Sequence, residues 1–213
     1  MTHTWATSSD RPGAEKALTP GIDDLLSALI AREGGFVAHP ADRGGATKYG
    51  ITQATLAAWR GRDVTPEDVA ALTEAEARAI YRRRYYEGPG IARLPVALQP
   101  VMLDAAVHMG AKRAVRLLQR LLATAVGKVG GIDGVIGPKT IAAAECLVTR
   151  WGPHAVALVL LLRALDLERL IAADPTQRTF AAGWQNRLTA LLPEEAGDAA
   201  AALTLTPHAK EAD

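Results

Sequence analysis

Apolar residues recur at helical spacing through most of the chain. Ile22, Leu25, Leu26, Leu29 and Ile30 fall on one face, and Gly34-Gly35 follows them, so the spacing predicts a helix that ends at about Glu33. Thr52 can cap a second helix over Gln53–Arg60, which Gly61 closes. Thr65-Pro66-Glu67-Asp68 joins an N-cap to a proline at the first helical position and an acid three residues on. Thr73–Glu76 repeats that capping box and opens a helix to about Tyr86, with Ala77, Ile80, Tyr81 and Arg84 on one face and Gly88-Pro89-Gly90 beyond. Leu98, Val101, Met102, Ala105 and Met109 mark a buried central helix between Pro95 and Gly110, regular from about Pro100. Val115, Leu118, Leu121 and Leu122 form the buried side of the next, opposite Lys112, Arg116 and Arg120. A long apolar helix over His154–Ala173 stops at Asp174-Pro175, and a last one runs from Phe180 to Leu192. The expected fold class is all-α.

Composition agrees with that pattern. Aromatic residues are 5% of the 213, while alanine and leucine abound, which favours helix over strand. A net charge of +1 gives no broad affinity for nucleic acid, and no basic recognition helix stands out. The single cysteine, Cys146, excludes an internal disulfide; it lies in the apolar run Ala142–Val148, where core packing is its expected role. The longest apolar run, Ala155–Leu162, is stopped by Arg163 and is too short to span a bilayer. The first 20 residues have no apolar signal core and read as a disordered lead-in. The expectation is therefore a protein made in the cytoplasm; a monomer is the expected state.

Two loops carry candidate chemistry. The first is EGGFVAHPADRGGATKYGIT, residues 33–52. Its one helix-borne acid, Glu33, stands at the negative end of a helix dipole, where partial burial would raise its pKa and suit it to proton donation. The second is Gly127–Thr140, containing IDGVIGPKT, whose glycines permit tight turns and whose Pro138 suits the first turn of a following helix. Ile132, Val135 and Ile136 in that loop are expected to plug a core.

Glu33, Asp42 and Thr47 keep the Glu–Asp–Thr order of phage-type lysozymes, with eight residues between the acids and four between Asp42 and Thr47. EGGF followed by P-x-D-x-GG-x-T-x-x-GIT more closely resembles the N-acetylmuramidases of glycoside hydrolase family 108, which include phage-like endolysins and secretion activator proteins. VTPEDVAALTEAEARAIYRRRYY is similar to that family's second and third helices, and Gly183-Trp184-x-x-Arg187 to its closing motif. Where the family commonly has D-x-A-x-N-x-G, this chain has Asp104-Ala-Ala-Val-His108-Met-Gly110. The IDGVIGPKT string resembles the loop of predicted peptidoglycan-binding domains. The resemblance implies a lysozyme-like helical lobe over 21–111, a helical peptidoglycan-binding half over 112–192 and a flexible tail over 193–213.

It also implies a peptidoglycan hydrolase. Glycoside cleavage needs an acid for the leaving oxygen and a group that delivers the nucleophile opposite. Glu33 is the acid by position and by resemblance, and Asp42 and Thr47 are candidates to hold a water. Asp42 would equally suit a turn that bonds backbone N–H groups. Tyr49, His108 and Asp133 are candidate substrate contacts; a histidine on such a helix is also an ordinary rim residue, and Trp184 an ordinary lobe-joining one. No metal-ligand spacing occurs, so no cofactor is expected. The expected partners are peptidoglycan glycan strands, with a holin-like membrane protein as the candidate route to the periplasm. The alternative reading is a module that grips peptidoglycan without cutting it.

Overall fold

The computed structural model describes residues 21–37, 45–127 and 129–196. The expected lead-in over 1–20, Asp42, and the tail beyond Ala196 lie outside them. Among the described residues the chain is almost entirely helical, as the apolar spacing predicts.

The first lobe is built from α1 (Ile22–Glu33), α2 (Gln53–Arg60), α3 (Pro66–Ala70) and α4 (Glu74–Tyr81). Thr52, Thr65 and Thr73 each accept a backbone N–H at the start of their helix. At Thr65 the box is complete, because Asp68 also accepts from Thr65 N–H. At Thr73 it is not. Glu76 turns instead to Arg60, which donates to both its oxygens at 2.9 and 2.8 Å, tying α2 to α4. A fork pairing of this kind outcompetes one bond to a backbone donor.

Past Tyr81 the chain does not continue as regular α-helix. Residues Arg82–Glu87 widen into a π-helical turn. The change of phase leaves Arg84 exposed and off the face of Ala77 and Ile80, and it turns Tyr85 and Tyr86 inward. Both tyrosines pack against two separate cores.

Those cores meet at α5 (Gln99–Met109), with Pro100 in its first turn. Every residue from Val101 to Ala106 is buried. Leu103 belongs to the first lobe's core with Leu26, Leu29, Leu56, Val69 and Ile80, while Val101, Met102, Ala105 and Ala106 belong to the second. A helix apolar all round has to be enclosed. The second core is closed by α6 (Ala111–Ala125), α7 (Pro138–Trp151), α8 (His154–Ala173) and α9 (Ala181–Thr189).

Two sequence expectations fail here. Cys146 is exposed, because the buried stripe of α7 is Thr140, Ala143, Ala144 and Leu147, and Cys146 lies about 100° around the helix from Leu147. Ile132 and Val135 are 46% and 61% exposed, so only Ile136 plugs the core. Of the expected tail over 193–213 the structure describes only the first four residues, where Glu194–Ala196 forms a short 3₁₀ turn and Ala196 is buried.

Candidate functional site

Glu33 is the last residue of α1, and its side chain, like the whole of Asp42, lies outside the described residues. Gly34 follows with φ 79°, a region open to glycine at little cost. Three residues later the chain is caught. Val37 N–H donates to the Thr47 carbonyl, and Thr47 N–H donates back to the Val37 carbonyl, both at 2.8 Å. The segment after Glu33 is thus tied to half-buried Thr47 by a two-way backbone bridge.

Thr47 also opens a small antiparallel hairpin that the periodicity did not foretell. Thr47 pairs with Thr52 and Lys48 with Ile51, around a two-residue turn at Tyr49-Gly50. Both turn residues have positive φ, 51° and 70°, as tight two-residue hairpins demand. This is unusual for a tyrosine. It is held by Tyr81, almost fully buried, whose hydroxyl donates to the Tyr49 carbonyl at 2.6 Å. Lys48 Nζ adds a bond to the Ala70 carbonyl at 2.6 Å and sits 5.3 Å from the centre of the Tyr49 ring. The Tyr49 side chain is half-buried against the first core.

His108 lies elsewhere, in a buried charge cluster on the other side of α5. One turn before it, Asp104 accepts from Arg163 Nη2 of α8 at 2.8 Å and from Arg187 Nε of α9 at 3.0 and 3.1 Å. Burial alone would raise the Asp104 carboxyl pKa, but the two guanidiniums outweigh it and hold the group below the usual carboxylate range. His108 is pushed down to about 4, by burial first and then by Arg163 and Arg187, with Asp104 opposing. Among the described residues its Nδ1 is buried without a hydrogen-bond partner, and its ring meets Trp184 edge-on at 6.1 Å. The Asp104/His108 pair on α5 therefore meets the Arg187/Trp184 pair on α9. The Gly-Trp-x-x-Arg motif ties the last helix to the central one. Sequence reasoning missed Arg163, which it used only as the stop of an apolar run; a lone cation in such a run was the available signal.

Asp133 belongs to a third place, the loop between α6 and α7. Its Oδ1 accepts from Gln119 Nε2 at 2.8 Å and from Val135 N–H at 2.9 Å. Gln119 is buried, and its Oε1 takes Gly134 N–H at 2.8 Å. Arg93 donates to the Ile136 carbonyl. Exposed Asp133 thereby organises the loop that walls a cavity of about 390 Å³. Of the basic stripe on α6, Arg120 pairs with Asp166 of α8 at 3.1 Å. The structure thus joins Thr47 and Tyr49 to the end of α1, and keeps His108 and Asp133 at two other positions. Among the described residues no group of histidine, cysteine and carboxylate side chains could hold a metal ion.

The profile of the Glycosyl hydrolase 108 family matches residues 26–110, and that of the Predicted Peptidoglycan domain matches residues 113–189. Among solved structures, that of SagA from Brucella abortus aligns with a TM-score of 0.67 and 34% identity, over 84% of this chain and 95% of that one. A comparison with curated proteins gives no match. With the Glu-Gly-Gly segment at the end of α1, the hairpin behind it and a predicted peptidoglycan domain following, the chain belongs to glycoside hydrolase family 108.

Proposed function

We propose that the chain is an N-acetylmuramidase that cuts the glycan strand of peptidoglycan, with Glu33 as general acid and Asp42 and Thr47 positioning the attacking water. The observation that carries this reading is the backbone bridge between Val37 and Thr47 just after Glu33. It brings the backbone of the motif's threonine beside the segment that leaves the helix ending in Glu33, which supports the reading. The predicted peptidoglycan domain supports the same substrate. A module that only grips the wall has no need of an acid in that setting.

The test is release of reducing muropeptides from purified sacculi, with turbidity clearance of outer-membrane-stripped cells. Glu33→Gln keeps the side chain's shape but cannot protonate the glycosidic oxygen, so turnover should drop by about 10²–10⁴-fold. Melting and sacculus pull-down should stay at the wild-type level. Thr47→Ala should cost less. A Glu33→Gln protein that melts normally and clears at the wild-type rate would end this assignment.

A further inference from the structure

We propose that the cavity between α6, α7 and the loop joining them binds a short carboxylate-bearing peptide, so that on the cell wall it takes the peptide stem and not the sugar. This rests on the reading that the chain works on peptidoglycan. The cavity's size is that of a small-molecule site.

Two of its walls are glycines that folding does not call for. Gly131 and Gly137 lie outside the positive-φ region, and a Cβ on either would meet nothing within 4 Å. Gly134 in the same loop is different: at φ 83° its Cβ would stand 2.7 Å from Lys112 Cγ. Bare backbone at 131 and 137 leaves room for another chain to approach within hydrogen-bond distance.

Donors converge on the same space. Gly137 caps α7 without a side chain, and the first turn holds no acid, so among the described residues the N–H groups of Lys139 and Thr140 have no side-chain cap. Thr140 is 3% exposed and lines the cavity. Its hydroxyl accepts from buried Gln119 at 3.4 Å, which ties the first turn of α7 to the cavity floor. Exposed Lys139 adds a cation, and Asp133 an acceptor for an amine on the same ligand.

The lining also says what kind of ligand. Among the described residues it holds no aromatic platform for a sugar ring, only the small apolar surfaces of Val129, Val135 and Pro138, which suit alanyl methyls. Backbone donors, a cation and methyl-sized patches together describe a peptide carrying carboxylates.

The test uses the full-length protein, isotopically labelled, followed by amide resonances. One titrant is a sugar-free tetrapeptide of alanine, γ-linked glutamate, a diamino acid and alanine; the other is the peptide-free disaccharide. The tetrapeptide should move the amides of Gly130, Gly131, Lys139 and Thr140 and leave the hairpin at Tyr49 still; the disaccharide should leave the cavity unmoved. Gly131→Val and Lys139→Gln should each weaken peptide binding roughly tenfold with an unchanged melt, about the worth of one charge-assisted or close backbone contact. Cavity amides that ignore the peptide, a cavity that answers the disaccharide instead, or variants that bind as wild type would each overturn the inference. Reducing-end release measured in parallel separates the two readings: cutting without peptide binding sinks only this one, and peptide binding without cutting sinks only the catalytic one.

Discussion

Replacing Asp104 by asparagine should destabilise the whole molecule, not one lobe. Asp104 stands on the helix shared by both cores and faces Arg163, which has no exposed side-chain surface, and Arg187, which is 18% exposed. The amide keeps the shape but removes the negative charge, leaving a guanidinium in the core without its carboxylate. Breaking a buried pair from one side costs about 3–5 kcal/mol. Arg187 is near enough to water to relax, so the loss comes chiefly from Arg163. For a chain of this size each kcal/mol moves Tm by about 2–4 °C, so the expected drop is roughly 6–20 °C. Replacing both partners by apolar side chains, Asp104→Leu with Arg163→Met, should recover much of it, since a buried ion pair and a well-packed apolar pair differ far less than a pair and a half-pair. The sign with pH follows from the depressed Asp104 pKa: its contribution is complete above the unfolded carboxyl value of about 4 and drains as pH falls below that. Thermal melts by circular dichroism at neutral pH decide the matter. An Asp104→Asn melt within about 2 °C of wild type would mean that the cluster contributes little.

Other outcomes follow from the same contacts. Tyr81→Phe removes the donor on the Tyr49 carbonyl, so it should cost about 1 kcal/mol and lower wall clearance through a loosened hairpin; normal clearance with a lowered Tm would separate the hairpin from the chemistry. Because His108 is pushed down to about 4, the unfolded chain takes up a proton that the folded one refuses once pH drops below about 6.5. Tm should therefore slide between pH 7 and 5, and His108→Asn should flatten that slide. Gly134→Ala forces a Cβ against Lys112 in a left-handed backbone and should cost more than about 1 kcal/mol in urea unfolding, whereas Gly131→Ala should be silent.

Much of this protein was legible in its order of residues. Helix boundaries followed from local chemistry: threonine caps at 52, 65 and 73, a proline in the first turn of α3 and of α7, and glycines at 34 and 61 act within a few residues of themselves. The family motif around Glu33 was legible for the same reason, since it is contiguous. What only the tertiary structure decided is non-local. The hairpin at Thr47–Thr52 has two-residue strands, too short for any alternation to register, and its strained turn depends on Tyr81, 32 positions away. Asp104 meets its arginines 59 and 83 positions along the chain, so a lone cation in an apolar run could mark Arg163 as unusual but could not name its partner. Cys146 and the exposed Val135 were misplaced because apolar character says that a residue can be buried, while the direction of its Cβ on a packed helix or loop decides whether it is.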